Sequence, residues 1–121
     1  MPKYLISDFI VEIEPKFDYL KKLCEPFLYG GERSADFSAI PSVSYLNSLL
    51  SRMVEGSTID EAEEFATASI FNRKIIHRGA TLVHSSALVF DGKAYLFSAD
   101  SGVGKSTHTK MWLKRFGPKA H

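Results

Sequence analysis

The chain of 121 residues contains one cysteine, five prolines and eight glycines. A lone Cys24 excludes an internal disulfide and a cysteine metal cluster, fits a reducing compartment, and is expected as a small buried apolar side chain. Long apolar runs are also missing: none approaches the roughly 20 residues that span a bilayer. Asp8 and Glu12 interrupt the start where a signal peptide would keep an unbroken apolar stretch. A cytoplasmic protein with no membrane partner is therefore expected. Neither an internal repeat nor a low-complexity or Pro/Gly/Ser linker divides the chain. An excess of one charge is lacking as well, with 15 basic against 14 acidic side chains. That balance conceals a split, because residues 1–64 carry 6 basic and 12 acidic groups and residues 65–121 carry 9 and 2, which gives −6 and +7. The second half is expected to meet something anionic, or else the halves dock on each other.

What is present is ample apolar material: 45% of residues are hydrophobic and 12% aromatic, enough to fill a globular core and to argue against disorder. Tyr4 to Ile13 reads as one half-buried strand, with Leu5, Phe9, Val11 and Ile13 on one parity. Pro15 opens a helix whose stripe is Phe17, Leu20, Cys24 and Phe27, ended by Pro26 and Gly30-Gly31. Asp36 to Ser44 suggests a short edge strand, and Leu46, Leu49, Leu50 and Met53 show helical spacing. Thr58 with Glu61 forms a capping-box pattern for a helix to about Arg73. Asp60, Glu61, Glu63 and Glu64 near its start, and Arg73 and Lys74 at its end, complement the helix dipole. The run Arg73, Lys74, His77, Arg78 reads first as a solvated helix end and second as a phosphate or partner contact. His77 and His84 do not have the spacing of a metal site.

From Thr81 the pattern changes. Leu82 to Phe90 and Ala94 to Phe97 read as strands joined by Asp91-Gly92, a strong hairpin signal. The second strand runs into Ala99-Asp100-Ser101-Gly102-Val103-Gly104-Lys105-Ser106, which has Walker A spacing with alanine in place of the usual first glycine. A helix from about Lys105 to Phe116 follows, closed by Gly117-Pro118. The residue types suit phosphate chemistry. Gly102 and Gly104 allow close backbone approach and positive φ, so that the amides of Ser101 to Thr107 form an anion nest at the positive end of a helix. Lys105 is expected at the β and γ phosphates, Ser106 as a ligand of Mg2+, and Thr107 at a phosphate through its amide or hydroxyl. A ligand-free glycine-rich turn is the bland alternative. His108, three residues beyond Lys105, reads either as a phosphate or second-substrate contact or as an ordinary helix histidine. Trp112 and Phe116 are expected to pack this helix onto the sheet.

Val83-His84-Ser85-Ser86-Ala87-Leu88-Val89, then Asp91 to Phe97, then Asp100 to His108 together resemble the HPr kinase/phosphorylase and phosphoenolpyruvate-carboxykinase-like group. The resemblance spans about residues 82–117. It implies an α/β P-loop core that uses ATP and Mg2+, with Lys105 and Ser106 (or Thr107) at the family's phosphate and metal positions. Members phosphorylate a protein hydroxyl or a small carboxylate-bearing substrate, so the phosphoryl acceptor here is undefined. Their catalytic acidic residues lie on a later strand, often as an Asp-Asp pair, and no acidic residue follows Asp100 in this sequence.

The expected organisation is an α+β N-terminal lobe at 1–80 leading into the first half of such a core at 81–121, catalytically incomplete as given, either an N-terminal fragment of a longer chain or a shortened gene product. The alternative is a non-catalytic interaction or regulatory module whose loop holds phosphate or nothing. A P-loop GTPase is disfavoured because no Asn-Lys-x-Asp follows. Nucleic-acid binding is not expected, since five of the nine basic residues of the second half lie from Lys105 onward, where the loop already accounts for Lys105. Trp112, Leu113 and Phe116, if left without a covering strand, predict association between copies.

Overall fold

The computed structural model describes residues 1–100 and 102–121, in the order β1 (Lys3–Ile6), β2 (Phe9–Glu12), α1 (Asp18–Cys24), β3 (Phe37–Ser38), α2 (Val43–Leu50), α3 (Ile59–Ile76), β4 (Ser86–Phe90), β5 (Lys93–Phe97) and α4 (Lys105–Phe116). This mixture of helices and two small sheets divides into two compact units, Met1–Thr81 and Leu82–His121.

The expected single strand from Tyr4 to Ile13 is a hairpin, turned at Ser7, whose φ is 55°, and Asp8. Across the turn Tyr4 faces Val11 and Leu5 faces Ile10, so equal parity no longer means equal face. Tyr4 and Val11 enter the core, whereas Leu5 is exposed. β3 adds to β2 in parallel through only two residue pairs, Val11 with Phe37 and Glu12 with Ser38. The expected longer edge strand is cut short because Ser42 caps α2, its hydroxyl accepting from the Tyr45 amide at 3.2 Å.

α1 and α2 both pack on α3. The capping box of α3 forms in both directions: the Thr58 hydroxyl accepts from the Glu61 amide, and the Glu61 carboxylate accepts from the Thr58 amide at 2.8 Å. The helix runs one turn past the expected Arg73, since Ile75 belongs to the core with Phe71, Phe37, Leu20 and Cys24. Phe27 instead lies exposed in a 3-10 turn after α1.

The acidic run on α3 is not all solvated. Glu63 is 1% exposed and accepts hydrogen bonds from the Lys16 amide at 2.7 Å and the Phe17 amide at 3.1 Å, pinning the approach to α1. Arg78, from the basic run, donates to the Lys74 and Asp36 carbonyls and stands 5.0 Å over the Phe37 ring, which makes it a structural clamp.

In the second unit β4 and β5 form an antiparallel hairpin with register from Ser86↔Phe97 to Phe90↔Lys93. Asp91 and Gly92 occupy its two-residue turn with φ of 50° and 68°, the left-handed pair that matches the twist of a hairpin. β4 begins at Ser86, four residues later than Leu82, where the sequence pattern placed its start. On its other side Ala120 bridges Phe90, and the His121 amide donates to the Val89 carbonyl at 3.0 Å. Among the described residues no helix is long and apolar enough to cross a membrane.

Candidate functional site

The site begins with the packing of α4 on the hairpin. Leu88, Phe90, Tyr95 and Phe97 share one face, because Leu88 is directly opposite Tyr95 and strand side chains alternate. Leu88 is 2% exposed. Trp112 meets Phe90 and Tyr95 at centroid distances of 5.7 and 5.6 Å, and Phe116 meets Phe90 at 4.7 Å. Aromatic pairs at these separations contribute dispersion and quadrupole attraction beyond area burial. This contact fixes the axis of α4. It also revises the premise for self-association: Trp112 and Phe116 are half-buried against the hairpin, while Met111 and Leu113 stay exposed.

Ser98 ties the start of that segment down by donating its hydroxyl to the His84 carbonyl at 3.0 Å. Gly102 and Gly104 have φ of 83° and 94°, a region that costs any residue with a Cβ. A Cβ at either position would meet nothing within 4 Å. Backbone conformation rather than crowding therefore requires glycine here, and the space beside both is open to a ligand. Gly104 is the N-cap of α4, and the first i to i−4 bond runs from the His108 amide to the Gly104 carbonyl at 2.9 Å. The amides of Lys105, Ser106 and Thr107 precede that bond and have no acceptor within the helix.

Lys105, the first residue of α4, folds back on the segment. Its Nζ donates to the Ala99 carbonyl at 2.6 Å and the Asp100 carbonyl at 2.9 Å. The ammonium is thus held beside the glycines with its charge unneutralised by a carboxylate in those bonds. Ser106 and Thr107 stand exposed on the first turn, as does Val103 before it. Ser101, expected in the same nest, lies outside the described residues. An open concavity of about 420 Å³ is bounded by Leu96 to Ala99 on one side and by Val103, Gly104, Lys105 and His108 on the other.

Comparison with protein-family models, curated proteins and solved structures finds no match.

The fit to a phosphate group rests on three local features: two glycines with open space beside them, helix-start amides without intrahelical acceptors, and a cation within the same turn. Magnesium has fewer donors. Among the described residues no group of three or more His, Cys, Asp or Glu side chains is placed to hold a metal, so a protein contribution would come from the Ser106 hydroxyl. Mg2+ commonly keeps several waters and binds chiefly through phosphate oxygens, so one protein hydroxyl is compatible with that chemistry.

One bond escaped the sequence reading. The Trp112 indole N–H donates to His108 Nε2 at 3.1 Å, while the His108 ring packs edge-on to Phe97 at 4.6 Å. The i, i+4 spacing of His108 and Trp112 was its available signal. Two groups of the first unit have shifted titration. Burial pushes the Cys24 thiol up, with the Glu63 charge adding to it, and burial likewise pushes up the Tyr4 hydroxyl, with Cys24 adding.

Proposed function

We propose that the second unit binds the phosphates of ATP together with Mg2+, as the nucleotide-binding part of an HPr-kinase- or carboxykinase-like phosphotransferase. One observation carries the reading: Gly102 and Gly104 at positive φ lead directly into a helix that opens on Lys105, beside an open concavity. Successive amides at a helix start attract an anion through both hydrogen bonding and the macrodipole.

On this reading phosphate oxygens replace the Ala99 and Asp100 carbonyls as acceptors for the Lys105 ammonium. Charge-assisted bonds to phosphate are stronger than bonds to neutral carbonyls, which drives the exchange. Val103 contributes its amide and shields the cradle, and Thr107 supplies a further donor. Mg2+, where bound, supplies neutralisation of the phosphate charge, and Ser106 offers it a hydroxyl. The phosphoryl acceptor, a protein hydroxyl or a small carboxylate-bearing molecule, belongs to the proposal only as a class. A cytoplasmic setting fits the nucleotide supply.

The experiment is calorimetric titration of the full chain with ATP and Mg2+. Wild type is expected to bind, and Lys105→Ala to lose at least about tenfold in affinity, the scale of a lost charge-assisted bond. Equal affinity of the two proteins, or no binding by either, overturns the reading.

A second reading, a non-catalytic module, draws on one feature: the second unit carries only Asp91 and Asp100 as acidic residues, one in the hairpin turn and one in the segment itself. It predicts phosphate binding without turnover. Association between copies through exposed Leu96, Met111 and Leu113 is compatible with both.

A further inference from the structure

His108 was left open by the sequence, and its surroundings now give it a task. His108 lines the same concavity as Lys105, one helical turn further along α4. Nε2 accepts the Trp112 indole proton, and an indole N–H can only donate. A hydrogen on Nε2 would oppose donor to donor, so the bond leaves Nδ1 as the ring nitrogen that carries a proton. The Phe97 contact fixes the ring plane.

We propose that His108 is a ligand-contacting residue of this site, donating Nδ1–H to an oxygen of the bound polyphosphate, and that Trp112 is the positioning residue that holds it in that tautomer. The proposal rests on the nucleotide reading. An N–H donor at Nδ1 suits the place, because it engages a phosphate oxygen one turn beyond the Lys105 ammonium. It also makes Trp112, the only tryptophan of the chain, a built-in reporter of occupancy.

The test titrates the full chain of 121 residues with ATP and Mg2+ and compares wild type, Lys105→Ala, His108→Phe, His108→Asn and Trp112→Phe. His108→Phe keeps a ring against Phe97 but removes the donor; His108→Asn keeps a donor near the Nδ1 position. His108→Phe is expected to weaken binding about tenfold or more, the scale of a hydrogen bond to a charged group, and His108→Asn to recover most of that loss. Nitrogen-15 spectra of the imidazole are expected to show the Nδ1–H tautomer before ligand, a shift of Nδ1 on binding, and a mixture of tautomers in Trp112→Phe. Wild-type tryptophan emission should change on binding in parallel.

If Lys105→Ala loses affinity while His108→Phe binds like wild type, the proposal for His108 fails and the nucleotide reading stands. No Nδ1 shift on saturation also overturns it. If wild type does not bind, both fail together. An Nε2–H tautomer in the free protein removes the role of Trp112.

Discussion

At the residue scale, charge and backbone conformation govern different positions. Gly104 stands at φ 94° with open space beside it, so a methyl group meets no neighbour and the cost of Gly104→Ala is conformational. Loss of about 1–2 kcal/mol of stability is expected, together with weaker nucleotide binding as the amide cradle distorts. Thermal unfolding and the same titration check both; unchanged values for each would mean that the positive φ is dispensable. Cys24 makes a contrasting case, because its environment acts on ionisation. Burial raises its thiol above the ordinary 9.0, so the folded state favours the protonated form and the unfolded state loses its proton first. Stability from this group is therefore intact below about pH 9 and falls as pH rises from there through the raised value. Tyr4 acts in the same direction from its ordinary value of 10.0. Denaturant unfolding at pH 8 and pH 10 should show the decline, and Cys24→Ala should make it shallower; an equal slope in both proteins assigns it elsewhere.

At the scale of elements, one carboxylate joins two helices. Glu63 sits within the first two turns of α3, where a surface acid would only complement the dipole. Instead it is buried and holds the Lys16 and Phe17 amides at the entrance to α1, where Phe17 as N-cap offers no side-chain acceptor. Glu63→Ala leaves two part-buried amides without that partner and is expected to cost about 3 kcal/mol, the range for buried bonds to a charged group. Guanidinium unfolding should show a lower midpoint at unchanged slope. A loss similar to that of Glu64→Ala, on the neighbouring half-buried position, would return Glu63 to the role of a surface charge. The contrast with Thr58 and Glu61 is instructive. Their capping box is local, three residues apart, and could be read from the sequence; the Glu63 contact spans 46 to 47 residues and leaves no periodic trace.

At the scale of the whole molecule, the chain is two units of opposite charge. Met1–Thr81 carries 9 basic and 12 acidic residues, net −3, and Leu82–His121 carries 6 and 2, net +4. The anion-binding features and the net positive charge coincide in the second unit. The same unit leaves Leu96 56% exposed on the strand face turned away from α4, between the outward-facing Ala94 and Ser98 positions of β5 and its continuation. Concentration-dependent association is expected, and Leu96→Lys should reduce it by placing a charge on that apolar face. Light scattering over a range of concentrations decides; a monomer throughout removes the expectation.

The sequence alone determined what depends on neighbours a few residues apart: the Asp91-Gly92 turn, the Thr58–Glu61 cap, the extent of α4, and a glycine-rich segment leading into Lys105. Those features follow from φ preferences and helix-start amides, which are local. Tertiary structure decided which of two parities Tyr4 and Leu5 would take, because a hairpin at Ser7 and Asp8 reverses the face across the turn. It also decided that Glu63 would be buried, that Lys105 would turn onto its own segment, and that Trp112 would orient His108. These outcomes depend on which surfaces exclude water and which polar groups must then find partners, and that competition is settled only when the packed chain brings them together.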